Sequence, residues 1–485
     1  MTPLSLAIFL NLGLALLRVL YILLYPIDLS PEEAQYWDWS RHPDLSYYSK
    51  PPMVAYINLL SSAIFGNTEF AVRFPAVLMS FLLSILVFLF MRRLVGERVA
   101  LACSVLPNLF VGLAINSILL TTDAPLLFFW GISVMLIFLA VEKNSLSLWL
   151  SVGVFAGLAF LSKYPAVFLL PLTLIYIFIV RRELLRSAKP YTSLLPALLL
   201  SLPVLIWNSE RDFVSFKHVS TLAEKGSHFP NLSTFGEFLG GQFLLLSVFP
   251  FFFMLYGWWR AFKDKDKLLV FLTVYSLPVL LFFALLSLKK EVYANWAGFG
   301  YFTGGILSVL MTLRVLRHNK LLWLPLMAFQ VLLLLLLHFT PLVDKLGLRK
   351  VLPPKRDPVK VMVGWEKLGK EVSFLKSEGE FIFSTAYQIS AELAFYVEGN
   401  PRTFVFHTGR MTQYFFWKEE LKRYKGGSAL FVSTWGVPEA VKKHFKTNEF
   451  LKEVKVWWRG EVIKSFKIYR LRGFSGRFDE HPKGF

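Results

Sequence analysis

Long apolar runs dominate the first 340 residues, and short polar segments separate them. Most of these runs approach the length of about 20 residues that a helix needs to cross a hydrocarbon core of roughly 30 Å. We therefore predict a polytopic α-helical membrane protein with about 11–13 transmembrane helices. The apolar runs lie near 4–26, 70–91, 99–116, 124–141, 147–162, 164–180, 191–208, 236–259, 268–288, 297–313 and 321–340.

The loops between the runs predict the orientation of the chain. Strict alternation places one large set of basic residues on a single side, and the positive-inside rule makes that side cytoplasmic. The opposite side then holds 27–69, 117–123, the turn at 162–163, 209–235, 289–296 and the chain after 340. The basic set comprises Arg92, Arg93, Arg98, Lys143, Arg181, Arg182, Arg186, Lys189, Arg260, Lys263, Lys265, Lys267, Arg314, Arg317 and Lys320.

The pattern changes after Leu342, where charged residues become frequent and three prolines mark a linker. Short buried strands are predicted at 381–385, 403–407 and 429–433, helices at 389–396, 417–424 and 439–445, and a hairpin at 454–471. Alternating strands and helices are typical of an α/β domain. We predict a transmembrane domain over 1–344, with interfacial helices in the loop 27–69, and a small extracytoplasmic α/β domain over 345–485.

Composition excludes a soluble cytoplasmic enzyme, a disulfide-stapled secreted domain and a disordered protein. Hydrophobic residues make up 55% of the chain and charged residues 18%, against about 25% charged in soluble domains. The single cysteine, Cys103, permits no internal disulfide and no cysteine-based metal site. Residues 345–485 hold 27 basic and 15 acidic residues, and this charge favours anionic headgroups or an anionic substrate. The chain contains no nucleic-acid-binding motif, so we expect no nucleic acid partner.

The first polar loop contains two adjacent carboxylates. Ser30 and Pro31 predict a helix start, and Glu33, three residues after Ser30, fits a capping box. Glu32 is not explained by capping, and a carboxylate in a partly dry site is suited to act as a general base. Lys50, beside Pro51 and Pro52, either extends to the lipid headgroups or contacts a lipid-linked phosphate.

Further polar residues lie in other loops of the same predicted side. Asp123 begins an apolar run, where it either caps a helix or serves function, and Lys163 interrupts two runs that need no cation. The loop 209–235 contains His218, which is either a packed residue or a substrate contact. The loop 289–296 ends in Tyr293, Asn295 and Trp296, which fit a headgroup, a sugar or an interfacial belt.

The sequence segments that contain these residues resemble those of the GT-C class of integral-membrane glycosyltransferases. The similarity is to the family of protein O-mannosyltransferases and lipid A aminoarabinose and galacturonic acid transferases, in its bacterial branch. The matching segments are LSPEEAQYW at 29–37, YYSKPP at 47–52, AVRFP at 71–75, TDAP at 122–125 and ANW at 294–296, with GWEKL at 364–368 and QYFFW at 413–417 in the C-terminal domain. The family usually has Asp-Glu where this chain has Glu32 and Glu33.

The resemblance implies a role for each candidate residue. Glu32 would be the base that activates the acceptor, with Glu33 and Asp123 as the other catalytic carboxylates. Lys50, Lys163 and Arg73 would bind the phosphate of a polyprenyl-phosphate-linked sugar. The substrate contacts would be Tyr47, Tyr48, His218, Tyr293, Asn295 and Trp296.

The predicted function is transfer of that sugar to an extracytoplasmic acceptor at a bacterial inner membrane. The basic C-terminal domain favours a glycolipid such as lipid A, and a protein hydroxyl is the alternative acceptor. A flippase for lipid-linked sugars and a non-catalytic assembly subunit are the competing classes. No cofactor or metal ligand set is predicted, although a divalent cation, Mg²⁺ or Mn²⁺, is compatible with the carboxylates.

Overall fold

The computed structural model describes residues 1–224, 229–317 and 320–479, and the chain forms two compact units. One unit comprises Met1–Leu23, Lys50–Val54 and Arg73–Leu337, and the other comprises Leu24–Ser49, Ala55–Val72 and His338–Phe485. We call them the membrane unit and the sheet unit. The sheet unit therefore contains most of the first polar loop in addition to the C-terminal domain.

Helices account for the chain up to the C-terminal domain. The α-helices are α1 Pro3–Leu24, α2 Pro31–Ser40, α3 Met53–Phe65, α4 Glu69–Val95, α5 Glu97–Val105, α6 Val111–Asn116, α7 Asp123–Lys143, α8 Leu146–Ser162, α9 Leu169–Val180, α10 Leu194–Ser209, α11 Val214–Glu224, α12 Leu232–Leu246, α13 Val248–Asp264, α14 Lys267–Val274, α15 Leu277–Ser287, α16 Tyr301–Leu316, α17 Trp323–His338 and α18 Pro341–Lys345. Short 3₁₀ helices join them at Leu106–Leu109, Tyr164–Phe168, Arg182–Arg186, Pro190–Ser193, Ala294–Gly300 and Lys320–Leu322.

The apolar helices confirm a polytopic membrane protein. In the described ranges six helices are long and apolar enough to cross a membrane, and a seventh span results if α12 and α13, bent by 102°, count as one. The run at 99–116 is divided by a 3₁₀ turn at Pro107, and α8, α9 and α17 are shorter apolar helices. Hydropathy measures apolar character and not helix breaks, so eleven runs give fewer straight, full-length helices.

Close helix packing in the membrane unit depends on glycine. A Cβ added at Gly153 of α8 would lie 2.0 Å from the carbonyl oxygen of Ser193, and one at Gly157 would lie 2.8 Å from Cβ of Leu200. Small residues four apart let two helix backbones approach, which is common in membrane proteins. The α8–α10 contact therefore does not tolerate side chains at these two positions.

A buried polar cluster joins α1 to its neighbours within the membrane unit. The guanidinium of Arg18 donates to Ser80 Oγ at 3.1 Å and to Asn108 Oδ1 at 3.0 Å. Asn108 in turn donates to Ser84 Oγ and to the Ser104 carbonyl, both at 2.9 Å. These hydrogen bonds compensate the cost of placing polar groups in an apolar region.

The C-terminal domain is a five-stranded sheet with helices. Its elements are α19 Trp365–Leu375, β1 Phe381–Ser384, α20 Tyr387–Tyr396, β2 Thr403–Val405, a 3₁₀ helix Gln413–Tyr424, β3 Ser428–Ser433, α21 Glu439–Lys442, β4 Thr447–Trp458 and β5 Glu461–Arg472, after 3₁₀ turns at Pro354–Arg356 and Pro358–Met362. The strand order is β2-β1-β3-β5-β4, with β1 parallel to β2 and β3, and β5 antiparallel to β3 and β4. The predicted α/β domain, its three buried strands and its hairpin are confirmed.

The sheet has an apolar layer on each face. Because side chains alternate along a strand, Phe381 and Phe383 join one core while Ile382 joins the other. A third apolar cluster in the same unit joins Trp37 of α2 to Phe395 of α20. The first polar loop therefore packs on the C-terminal domain.

Candidate active site

An ion pair and an amide form the polar centre of the membrane unit. Lys163 Nζ lies 2.5 Å from Asp123 Oδ1, and Asn295 Nδ2 donates to Asp123 Oδ2 at 3.0 Å. The two charged side chains are 9% and 12% exposed. The sequence predicts all three as site residues, and the structure brings them together across 172 positions of the chain.

Local structure explains why these groups meet. Asp123 is the first residue of α7, where the partial positive charge of the helix N-terminus favours a carboxylate. Lys163 is in extended conformation at the end of α8, just before Pro165, which cannot continue the helix. Asn295 lies in the 3₁₀ helix that precedes α16. Two helix ends and one 3₁₀ turn therefore direct the three side chains to one point.

A cavity of about 190 Å³ lies beside this centre. Asp123 and Asn295 line it together with Asn116, Tyr301, Leu113 and Leu245. The cavity wall is held by hydrogen bonds, because Tyr301 donates to Gln242, and the Gln242 amide donates to the Ala294 carbonyl at 3.2 Å. A small ligand in this cavity would meet the carboxylate, the amide and a mainly apolar wall.

The aromatic residues of the same loop differ in exposure. Tyr293 is 63% exposed and contacts Trp296 edge-on, with ring centroids 6.0 Å apart. The Lys290 ammonium lies over the Trp296 ring, 5.0 Å from its centroid. Tyr293 has an accessible ring face, as the predicted sugar contact requires.

The two carboxylates of the first loop have different surroundings in the sheet unit. Glu33 is fully buried and completes the capping box of α2, since its Oε2 accepts from the Ser30 amide at 2.9 Å. Glu32 is exposed in the first turn of the same helix. The capping interpretation of Glu33 is confirmed, whereas the catalytic roles of both residues stay predictions.

Helix α2 is fixed by buried polar contacts with the C-terminal domain. Asp38 is 1% exposed and pairs with Arg41 at 2.5 Å, and Tyr414 Oη donates to Asp38 Oδ2 at 2.7 Å. At the start of the helix, the Leu29 amide donates to Tyr396 Oη at 2.6 Å. The domain thus determines the position of the helix that contains Glu32.

The placement of Tyr47 and Tyr48 argues against their predicted sugar contacts. Tyr47 is fully buried, stacks on Trp39 with centroids 4.5 Å apart, and donates to the Trp39 and His42 carbonyls. Tyr48 is 1% exposed, and its amide donates to Gln413 Oε1 at 2.8 Å. Both rings belong to the packed interior of the sheet unit, because aromatic rings fill cores as readily as they bind sugars.

The remaining candidates are described here by their unit, helix and burial. Lys50 belongs to the membrane unit and is half-buried beside Pro51. Arg73, in α4 of the same unit, is 2% exposed, and His218, in α11, is 5% exposed. Their roles, and a single opening shared by Glu32, Lys50 and Asp123, stay predictions.

The sequence analysis did not identify some of the buried polar residues of the membrane unit. Asn11 and Arg18 lie seven residues apart in the first apolar run, and both face the interior. Polar residues at helical spacing within such a run are the available signal. Gln242 gives no comparable signal, since its importance depends on its contact with Tyr301.

Within the described ranges, no group of three or more His, Cys, Asp or Glu side chains is arranged to hold a metal ion. A divalent cation at this site would therefore need ligands from the substrate, such as phosphate oxygens.

Comparison with known proteins identifies a family domain. Residues 49–207 match the family described as dolichyl-phosphate-mannose-protein mannosyltransferase. The chain is 31% identical over 303 residues to lipid A galacturonosyltransferase RgtD of Rhizobium johnstonii, covering 61% of this chain and 63% of the relative. It is 26% identical over 322 residues to undecaprenyl phosphate-alpha-4-amino-4-deoxy-L-arabinose arabinosyl transferase 2 of Proteus mirabilis, covering 58% and 57%. The matches thus span about three fifths of each relative.

A solved structure shows the same fold over nearly the whole chain. The crystal structure of ArnT from Cupriavidus metallidurans bound to undecaprenyl phosphate superimposes with a TM-score of 0.63. It covers 96% of this chain and 97% of its own, at 16% sequence identity.

Proposed function

We propose that this chain transfers a sugar from a polyprenyl-phosphate donor to an extracytoplasmic acceptor, because its residues 49–207 match the dolichyl-phosphate-mannose-protein mannosyltransferase family. The Asp123–Lys163–Asn295 centre beside a cavity is the observation that carries the proposal. One named relative is a lipid A galacturonosyltransferase, and the superimposed structure is of a protein bound to undecaprenyl phosphate. Lipid A or another glycolipid is the proposed acceptor.

The reaction needs one new bond and one broken bond. An acceptor oxygen attacks the anomeric carbon, and the bond from that carbon to the phosphate oxygen breaks. The electron pair leaves with polyprenyl phosphate, and Lys163, with Lys50, stabilises the negative charge that grows on it. Glu32 accepts the proton when the nucleophile is a hydroxyl.

Asp123 has a positioning function in this scheme. Its two oxygens hold Lys163 and Asn295 at the same time, so the ammonium is directed toward one place before substrate arrives. Preorganised charge of this kind contributes more to catalysis than a mobile side chain does.

The proposed location is the bacterial inner membrane, with the site on the periplasmic side. The distribution of basic loops supports this orientation. A donor delivered on a lipid also explains why the site needs no nucleotide pocket.

The test is transfer from polyprenyl-phosphate sugar to lipid A by the purified protein in proteoliposomes. We expect Asp123→Asn, Lys163→Met and Glu32→Gln each to reduce kcat by about 100-fold or more, because charge stabilisation and proton transfer each contribute on that order. Asp264→Asn is the matched control, since it breaks a more exposed Arg260–Asp264 pair, with side chains 20% and 24% exposed, also at 2.5 Å. Wild-type protein that moves the donor across the bilayer without any transfer would contradict the proposal, as would full activity in Asp123→Asn. Transfer to a peptide acceptor in the same assay tests the alternative that a protein hydroxyl receives the sugar. Transfer in an EDTA-treated sample tests whether the reaction requires a divalent cation.

A further inference from the structure

A second cavity of the membrane unit has no role in the scheme above. It has a volume of about 260 Å³ and lies among α8, α9 and α10. Among the described residues it shares no lining side chain with the cavity beside Asp123. Its wall is mainly aliphatic and includes Val152, Ala156, Leu174, Ile177, Leu198 and Leu205.

The shape and surface of this cavity suit a hydrocarbon chain. Leu170 and Leu198 line it and are also exposed on the surface of the unit, so the cavity opens toward the lipid. Its lining residues on α10 run from Leu194 to Leu205, which is roughly 16 Å along the helix axis. That length is about half of a hydrocarbon core of roughly 30 Å, the thickness of one leaflet. An apolar cleft of this kind offers water few hydrogen-bond partners and is better filled by a lipid chain.

One end of the cavity lies beside the polar loop that joins α9 to α10. Pro190 and Tyr191 of this loop line the cavity, and Lys189 directly precedes them. Lys189 is exposed, and its Nζ donates to the Asn144 carbonyl at the end of α7 at 3.1 Å. The loop therefore brings an ammonium group to this end of the cavity.

The same loop carries a net positive charge. It contains four basic side chains and one acidic side chain, Glu183, which pairs with Arg181 at 2.9 Å. In the described part of the chain, three exposed cations of the loop form no ion pair with a carboxylate, namely Arg182, Arg186 and Lys189. An apolar cleft with unpaired cations at one end is complementary to a molecule that has an anionic head and a hydrocarbon chain.

We propose that the cavity among α8, α9 and α10 binds an anionic phospholipid, with one acyl chain in the cavity and the phosphate at Arg186 and Lys189. In the orientation proposed above, this lipid belongs to the cytoplasmic leaflet, where anionic headgroups attract basic segments next to membrane helices. The site binds lipid and performs no chemical step, so it is independent of the proposed glycosyl transfer.

The polyprenyl chain of the sugar donor is the competing occupant. Its phosphate is proposed to contact Lys163, which lies before α9, whereas the basic loop follows α9. The two cationic groups are thus at opposite ends of the same helix. A donor bound at Lys163 would leave the cations of the loop without an anion, and a phospholipid bound from the loop supplies one.

The experiment measures lipid binding to the full-length protein in detergent. Phosphatidylglycerol and phosphatidylcholine with the same acyl chains are titrated separately, and bound lipid is counted by native mass spectrometry. We expect wild type to bind phosphatidylglycerol more tightly. The double variant Arg186→Gln with Lys189→Gln should weaken phosphatidylglycerol binding by about 25-fold, because each basic residue near an anionic headgroup contributes about fivefold. Its affinity for phosphatidylcholine should change little.

Two further variants separate the cavity from the charge. Ala156→Phe fills the cavity and keeps the basic loop, so it should weaken the binding of both lipids. The control, Lys265→Gln with Lys267→Gln, removes two exposed lysines between α13 and α14 and should bind both lipids like wild type. Thermal unfolding checks the fold of each variant, and the two charge variants decide the outcome even where Ala156→Phe folds poorly.

The contrary results are specific. Equal affinity of wild type for the two phospholipids would overturn the proposal, as would equal phosphatidylglycerol affinity in the Arg186/Lys189 variant and the control. Tighter binding of polyprenyl phosphate than of phosphatidylglycerol, lost in Ala156→Phe, would assign the cavity to the donor chain and overturn it as well. Sugar transfer is measured in parallel, and its absence would refute the proposed function while leaving the lipid-binding result unaffected.

Discussion

Single polar residues in an apolar environment determine much of this protein's local structure. Arg18 and Asn108 form a buried network in the membrane unit, and Asp123 and Lys163 form a buried pair. The second pair could be predicted from sequence, because each residue interrupts or begins an apolar run. The first could not be assigned a partner, since Arg18 and Asn108 are 90 positions apart and only the fold brings them together.

Loss of the Arg18 side chain should destabilise the membrane unit. Arg18→Met removes the guanidinium hydrogen bonds to Ser80 Oγ and Asn108 Oδ1, and the loss of a hydrogen bond to a charged group costs about 1.5–3 kcal/mol. We expect a lower midpoint of thermal unfolding in detergent, followed by tryptophan fluorescence. Arg93→Met, at an exposed arginine of α4, is the control and should unfold like wild type. Identical midpoints for both variants would show that the Arg18 contacts contribute no net stability.

At the scale of elements, helix α2 shows both the reach and the limit of sequence analysis. Ser30, Pro31 and Glu33 predict where the helix begins, because capping depends on residues close in sequence. The surface on which α2 packs could not be predicted, since Tyr414 and Phe395 follow it by more than 350 residues. The same limit affects Tyr47, whose burial against Trp39 is invisible in a local pattern.

A weaker contact between α2 and the C-terminal domain should reduce catalysis. Tyr414→Phe removes the hydroxyl that donates to the buried Asp38 carboxylate at 2.7 Å, a loss of about 1.5–3 kcal/mol for a bond to a charged group. Because Glu32 lies on the same helix, we expect kcat for transfer to fall more than the KM of the lipid donor rises. The steady-state assay in proteoliposomes measures both constants.

Tyr424→Phe is the matched control for that variant. The Tyr424 hydroxyl contacts only the exposed Arg423 side chain among the described residues, at 3.0 Å. Unchanged kcat in Tyr414→Phe, together with normal folding, would show that the position of α2 does not depend on this hydrogen bond.

The two structural units of the whole molecule are not continuous stretches of the sequence. The predicted boundary near residue 344 follows the change in composition, whereas the sheet unit also includes Leu24–Ser49 and Ala55–Val72. Hydropathy identifies the membrane helices and the α/β domain, because both depend on local patterns. It gives no indication that an early loop completes a late domain.

Removal of the C-terminal domain should therefore abolish activity, although no predicted catalytic residue lies in it. A chain ending at residue 344 loses the partners of Trp37, Asp38 and Leu29. We expect no transfer in proteoliposomes, and rapid cleavage between residues 27 and 49 in limited proteolysis of the truncated protein. Substantial transfer by the truncated chain would contradict a supporting function of the domain.

The pairing of Trp37 with Phe395 also has a consequence for biosynthesis. A ribosome adds about 5–20 residues each second, so roughly 360 residues separate the two rings by about 20–70 s of translation. During this interval the early loop has emerged, but the surface that covers its tryptophans does not yet exist. Nascent chains of this protein consequently expose an aromatic segment to chaperones and proteases until synthesis is almost complete.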